Sequence, residues 1–482
     1  MSGLEALEPA LLWRRFAELT QIARPSKEEG PAREHVLAWA NARGFDAATD
    51  DEGNVVVRVP ASTGRESTSV VVLQSHLDMV CEREPTSRFD PREGRIDVHV
   101  DGDWVVADET TLGADNGIGV AAAMAVADDD AVAHGPLELL FTVSEEQGLD
   151  GAKALDASLV SGRLLLNLDG TSDEALTVGC AGSDHTLLRV PLRLEAAPPE
   201  WIGLRVTLSG ARGGHSGGDI TAGRVNAIKA LGRVLSAAFV SAPFRLVTID
   251  GGVSRNAIPR ETTATIALPA ETEGTLRAAA DEELEAIVRQ HATDGDLRLA
   301  VEREQAPGAL HEDATQRLLD LLAAIPTGVL AMSPSLSGVV ETSTSLTTAA
   351  TREATLTLGS MTRSSNAAAL DGALAAAQAL ARLGGAEIEA RHSYPPWEPD
   401  AGSQLLATAT ATFARIFGHE PALTVVHGGL ECAVLGQKLP GVEMVSIGPE
   451  IVGPHAPGEK VSVSSTQRFY GLLGALLDDL SR

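Results

Sequence analysis

Three apolar runs in this chain read as strands, and each ends in acids or a histidine. Val70 to Leu73 leads into Ser75-His76-Leu77-Asp78, Leu137 to Val143 into Ser144-Glu145-Glu146, and Leu164 to Leu166 into Asn167-Leu168-Asp169. A helical stretch separates the first two runs, which predicts an α/β sheet. In such an open sheet the C-terminal strand ends share one edge, where ligands bind. His76, Glu145, Glu146 and Asp169 should all arrive there. Residues i and i+2 of a strand project to the same side, so His76 and Asp78 act as a pair. A neutral imidazole is a good metal ligand, and an adjacent carboxylate can hold its other ring nitrogen.

Two more stretches add to the set. Leu112-Gly113-Ala114-Asp115-Asn116-Gly117-Ile118-Gly119 lets the backbone fold tightly around one carboxylate ahead of an alanine-rich helix over 120–127. Taken alone, Asp115 reads first as a helix N-cap. Gly453-Pro454-His455-Ala456-Pro457 presents a histidine between prolines. Adjacent glutamates in a shared cleft repel unless a cation or a proton relieves them. The seven residues His76, Asp78, Asp115, Glu145, Glu146, Asp169 and His455 suit two divalent ions, which need one bridging carboxylate and a histidine and a carboxylate each. Five ligands leave Asp78 and Glu145 for support and proton transfer.

At 482 residues the chain is long enough for two domains. Helices are expected over 11–23 and 32–43, with a turn and capping serine at Pro25-Ser26-Lys27-Glu28-Glu29, then strands over 55–59 and 69–74 and a hairpin at Asp101-Gly102. Beyond Asp184 the strands 187–194 and 203–209 alternate apolar and polar residues, as in an antiparallel sheet covered on one face. A glycine-rich loop over 210–219 carries His215, and strand 248–255 ends in a turn at Asn256. Further strands and helices alternate to residue 383, which suggests an internally duplicated insert. Ser393-Tyr394-Pro395-Pro396-Trp397-Glu398-Pro399 reads as a linker. The expected fold is α/β, a mixed sheet flanked by helices over 1–186 and 395–482, with an α+β lid domain inserted over 187–394.

A net charge of −28 argues against nucleic acid or an anionic membrane as partner. Cys81, Cys180 and Cys432 form no C-x-x-C pair, and Met1 to Leu19 has no basic start followed by an apolar run. A cytoplasmic location is expected.

The motifs SHLDMVCE at 75–82, LGADNGIG at 112–119, SEEQGLDGA at 144–152, NLDG at 167–170, GCAGSD at 179–184, GGHSGGDI at 213–220, HGGLECAVL at 427–435 and GPEIVGPHAP at 448–457 run through nearly the whole length. With them the chain resembles the M20 (clan MH) metallopeptidases, and within these the aminoacyl-histidine dipeptidases. The resemblance implies two divalent ions per chain, zinc with cobalt or manganese as alternatives. Asp115 would bridge them, His76 and Asp169 would hold one, and Glu146 and His455 the other. It implies that Asp78 orients His76 and that Glu145 is the general base acting on a zinc-bridging water. It also implies a cis Asp115–Asn116 peptide, and that His215 meets the scissile carbonyl from the lid, within the chain or from a homodimer partner. A dipeptide with free termini needs a cation for its carboxylate, for which Arg363 with Asn256 is the candidate, and an acid for its amine, for which Glu431 is the candidate. Arg363 also reads as a solvated residue at a helix start.

The chain departs from the family pattern at Thr221-Ala222, at Gly170 where a hydroxyl residue is usual, and at Ala456 and Gly458. Substrate preference and the surroundings of the ligands are what these positions touch. The alternatives are another M20-type amidohydrolase, a tripeptidase or an N-acyl amino acid deacylase, and a non-catalytic metal-binding scaffold. The scaffold reading leaves Glu145 without a use.

Overall fold

The computed structural model describes residues 3–292, 294–306 and 308–482, in two compact units. The first comprises the chain up to Cys180 together with Trp397–Val426 and Leu430–Arg482. The second comprises Ala181–Pro396 and His427–Gly429.

The first unit is organised around an eight-stranded mixed sheet in the order Asp46–Thr49, Val55–Val59, Leu137–Thr142, Val71–His76, Leu164–Asn167, Glu443–Ser446, Ala175–Cys180, Ala422–Val426. Its four middle strands, Leu137–Thr142 through Glu443–Ser446, are parallel. Val71–His76 and Leu137–Thr142 are buried at every position, which is why they read as continuous apolar runs: helices cover both faces of a parallel sheet. Their C-terminal ends lie on one edge, so the residues just beyond them share a rim.

The helix predicted over 120–127 runs from Ala114 to Asp128 and is buried along almost its whole length. Small residues let it lie close to the sheet. A Cβ on Gly119 would stand 2.5 Å from the Leu168 carbonyl oxygen. Asp115 and Asn116 have non-helical dihedrals, and the peptide between them is cis. The N-cap position is held by Gly113, so Asp115 does not take the capping role that the sequence also allowed.

Three strands of this sheet, Asp46–Thr49, Ala175–Cys180 and Ala422–Val426, were not expected; the last two lie beside glycine-containing motifs that read as loops. The linker at 393–399 is partly strand: Glu387–Tyr394 pairs with Gly182–Pro191 before Pro395 and Pro396 end it. Trp397 then exchanges two backbone hydrogen bonds of 3.0 Å with Cys180, the residue after which the second unit begins.

The second unit holds a nine-stranded sheet in which every neighbouring pair is antiparallel. Helices Ala227–Ser241, Glu273–Gln290 and Glu312–Ala324 share one apolar core with it, including Leu204, Val206, Ile228, Leu231, Ile266 and Leu319. The strand expected over 248–255 lies at Arg245–Gly251, since Gly252 turns the chain with φ 74°. An internal duplication is not confirmed.

Gly170, the position where the family pattern has a hydroxyl residue, is explained by packing. Its N–H donates to the Ile447 carbonyl at 3.1 Å, and a Cβ there would stand 2.6 Å from Gly448 N and from the Ile447 carbonyl carbon. Backbone cannot give way as a side-chain tip can. Gly170→Ser should destabilise the protein by roughly 1–3 kcal/mol, the usual range for overpacking, read as a lower midpoint in urea denaturation; an unchanged midpoint would count against this close approach.

Candidate functional site

At the rim of the parallel strands, Asp115 stands between two histidines. Its Oδ1 is 3.1 Å from His76 Nε2 and its Oδ2 is 3.3 Å from His455 Nε2. Each imidazole has a second carboxylate: Asp169 Oδ1 at 3.7 Å from His76 Nε2, and Glu146 Oε1 at 3.0 Å from His455 Nε2. The arrangement is two histidine–carboxylate pairs sharing one further carboxylate. Two ligands of one tetrahedral zinc, each about 2.0–2.1 Å from the ion, stand about 3.3 Å apart, so these N···O separations suit edges of a coordination shell. One donor atom from each of His76, Asp115 and Glu146 lies within 4.8 Å of the others. Glu146 Oε1 is buried, with the His455 Nε2 at 3.0 Å as the polar atom that faces it. The donor set therefore fits two divalent cations.

The electrostatics point the same way. Contacts with Asp115 and Glu146 push His455 up to about 11. Burial would lower His76, but Asp169, Asp115 and Asp78 outweigh it and hold it well above its ordinary value. Burial, then Asp115, push Asp169 up to about 7. Burial also raises Glu145 well above the carboxylate range, with His76 opposing and Asp169, Glu146 and Glu431 adding to it. So much negative charge in one enclosed place attracts whatever positive charge is offered.

Asp78 ties this cluster together. Its Oδ1 lies 3.3 Å from His76 Nδ1 and accepts the Glu145 N–H at 3.0 Å, while its Oδ2 accepts the Glu146 N–H at 3.2 Å and the Ser26 hydroxyl at 2.7 Å. One carboxylate thus faces a histidine, whose Nδ1 also lies 3.1 Å from the Asp78 carbonyl oxygen, and fixes the backbone of both glutamates. Glu29 holds the residue before them, accepting the N–H and the hydroxyl of Ser144 on Oε1 at 2.8 and 3.1 Å. The turn at 25–29, read from sequence as a helix start, is a buttress for the strand ends. Arg24, fully buried, donates to the carbonyls of Leu77 and Asp78 at 3.0 and 3.1 Å and to that of Gly113. Nothing in the residue types around Ser26, Glu29 or Arg24 marks them out.

Glu431 also lies in this unit, at the start of helix Glu431–Lys438. Its Oε2 accepts from Thr142 Oγ1 at 2.6 Å and from Gln74 Nε2, whose own Oε1 takes a 2.6 Å bond from Asn167. Its Oε1 has no hydrogen-bond partner among the described residues, and burial pushes the carboxyl up to about 7.

The remaining candidates meet in the second unit. His215 pairs in a short ladder with Ala257, and the Ser216 N–H donates to the Asn256 carbonyl at 2.8 Å, which brings His215 and Asn256 together. The Gly218 N–H donates to His215 Nδ1 at 3.0 Å, with Gly217 N at 3.3 Å. A nitrogen that accepts carries no proton, so in the neutral ring the hydrogen is on Nε2, which is left as a donor. Burial and then Arg363 lower His215. Arg363 is only 4% exposed, the opposite of a solvated residue at a helix start. It donates to the Tyr394 hydroxyl at 3.2 Å and reaches Asn256 Oδ1 at 3.5 Å, its Nε is unpartnered, and no carboxylate pairs with it among the described residues. A buried guanidinium without a counter-charge is costly. His427, which the sequence reading passed over, lies 2.6 Å from Ser343 Oγ and is pushed down to about 4 by burial and by the cation Arg363.

The profile of peptidase family M20/M25/M40 matches residues 72–479. The chain is 37% identical over its full length to the cytosol non-specific dipeptidase of Escherichia coli (strain K12), of which 99% is covered. The crystal structure of the aminoacylhistidine dipeptidase from Vibrio alginolyticus is 38% identical, with a TM-score of 0.90 over 99% of this chain and 98% of that one. A tripeptidase from Staphylococcus aureus subsp. aureus mu50, 16% identical with a TM-score of 0.57 over 99% of both chains, shares the fold. A match that begins inside the strand ending at His76 and runs past His455 takes in every residue of the shared-carboxylate cluster, and the chain belongs to peptidase family M20/M25/M40.

Proposed function

We propose that the protein is a metal-dependent dipeptidase that hydrolyses the peptide bond of Xaa-His or a broader range of dipeptides. The observation that carries this reading is Asp115 shared between two histidine–carboxylate pairs, with Glu145 beside them and outside both pairs. The activity named for the Escherichia coli and Vibrio alginolyticus relatives supports it. In this reading His76 and Asp169 hold one divalent ion, Glu146 and His455 the other, and Asp115 both. Zinc is the proposed metal, and cobalt or manganese suit the same donors. When bound, the ions supply Lewis acidity to a water and to the scissile carbonyl.

Glu145 takes the proton of the attacking water and passes it to the leaving amine. Asp78 keeps the His76 ring and the Glu145 backbone in register for that transfer. His215 donates its Nε2 proton to the oxygen that gains negative charge in the transition state. Arg363, with Asn256 beside it, receives the substrate carboxylate, and Glu431 offers Oε1 to the free amine. For His215, Arg363 and Glu431 the role follows from a valence left unused among the described residues: a donor without acceptor, a cation without anion, an acceptor without donor.

A cytoplasmic homodimer belongs to the same proposal. All three cysteines are free and buried, and no helix among the described residues is long and apolar enough to cross a membrane. The strand Gly328–Met332 pairs only with Val340–Arg352 among the described residues and exposes Val329, Leu330 and Met332, an apolar edge that a second copy would cover. Light scattering reads the oligomeric state. Turnover of dipeptides against tripeptides and N-acyl amino acids separates the dipeptidase from other M20-type activities.

Asp115→Ala should lose both ions in elemental analysis, and retention of full metal and full activity would sink the cluster. Glu145→Gln should keep the ions and lose turnover by about a hundredfold to ten-thousandfold, the usual worth of general-base catalysis, whereas Glu146→Gln should weaken metal binding. Reversed phenotypes would exchange the two roles. His215→Ala should lower kcat by roughly a hundredfold, as for loss of one oxyanion donor, with KM changed much less and both ions retained; a near-normal kcat would remove His215 from the chemistry.

A further inference from the structure

Glu459 is 1% exposed, and its carboxylate accepts from four consecutive backbone amides. Oε2 takes the N–H groups of Leu112 and Gly113 at 2.8 and 2.9 Å, and Oε1 those of Ala114 and Asp115 at 2.8 and 3.3 Å. Two of these amides precede helix Ala114–Asp128 and two open it, and its N-cap residue Gly113 offers no capping side chain. The cap comes from 344 to 347 residues away in sequence. Burial and the neighbouring charge of Asp115 oppose this carboxylate, and the four amides are what it receives in return.

We infer that Glu459 is a positioning residue that sets the spacing of the shared carboxylate Asp115 from His455. The inference rests on the metal-centre reading above and goes beyond it. Glu459 follows His455 by four residues, in a loop held by Gly458 N to the Ala107 carbonyl at 3.0 Å and Glu459 N to the Ala456 carbonyl at 3.2 Å. One end of the Glu459 residue is thus fixed to the loop carrying His455, and its carboxylate is fixed to the loop carrying Asp115. On the other side of that second loop, the buried Arg24 takes the Gly113 carbonyl. Amides held by an anion and a carbonyl held by a cation leave residues 112–115 little freedom to slide. Charge-assisted hydrogen bonds of this kind are roughly twice as strong as neutral ones. The 3.3 Å separation of Asp115 Oδ2 and His455 Nε2 is the quantity they control.

A glutamine can offer one oxygen to two amides, but its NH2 group would face the other two donors. Glu459→Gln should therefore distort the loop while keeping the volume of the side chain. Partners that orient metal ligands typically cost about 10–100-fold in metal affinity or activity when changed.

The test uses the full-length protein stripped with a chelator and titrated with Zn2+ by calorimetry and with Co2+ by visible absorption, alongside melting of the metal-free form. Glu459→Gln should bind Zn2+ about 10–100-fold more weakly, with an altered Co2+ spectrum, and at saturating metal should show lower kcat with KM little changed. Glu459→Asp, which keeps the charge and shortens the reach, should recover part of the affinity, and it carries the test alone if the glutamine variant does not fold. Wild-type affinity and spectrum in either folded variant, with only the melting temperature lowered, would overturn the inference and leave Glu459 a structural cap. Failure of the unsubstituted protein to take up two ions would instead overturn the metal-centre reading itself.

Discussion

Everything at the rim of the sheet depends on one carboxylate serving two imidazoles at once. Asp115 sits in the first turn of its helix with non-helical dihedrals, and its two oxygens face His76 and His455. Such a position is unfavourable by itself. It brings a third anion between Asp169 and Glu146, in surroundings too dry to screen them. The supporting structure answers that repulsion with donors: amides for Asp78, amides and a hydroxyl for Glu29, and four amides for Glu459.

The parallel strands explain why these groups are so close. Each strand end contributes a short polar segment at the same level, and Asp78 stitches the first segment to the second by accepting the N–H groups of Glu145 and Glu146. The same carboxylate faces His76 Nδ1, so a ligand and the neighbouring glutamates share a single mechanical reference. In the second unit the logic is inverted. There a guanidinium is buried with no carboxylate paired to it among the described residues, and two imidazoles near it are lowered by burial and by that cation.

Much of this was legible in the sequence for a definite reason. Strands buried on both faces announce themselves as apolar runs, and the acids and histidines that follow such runs have few structural uses. His76, Asp78, Glu145, Glu146 and Asp169 stood out on that ground, Asp115 and His455 by their glycine and proline turns, His215 by a family motif, and Asn256, Arg363 and Glu431 as candidates for the termini of a dipeptide. Ser26, Glu29, Arg24 and Glu459 did not stand out, because an acid that binds backbone amides has the same local sequence as an acid on the surface. Its partner lies in another segment, 115 residues away for Glu29 and Ser144. The strands Ala175–Cys180 and Ala422–Val426 were missed for a related reason: their strand character comes from neighbours in the sheet more than from their own pattern.

The strand order also has a consequence for how the chain is made. Leu164–Asn167 and Ala175–Cys180 are close in sequence, yet they are not neighbours in the sheet; Glu443–Ser446 lies between them. While a ribosome is still working through the second unit, the first therefore stands with a gap in its sheet and an apolar edge unpaired. At about 5–20 residues per second the missing strand follows only after some tens of seconds. His455 and Glu459 follow it, so the rim is completed last. The nascent chain must keep that open edge from pairing with another chain, which makes the interval before residue 446 emerges the one in which the protein is most exposed to misassembly.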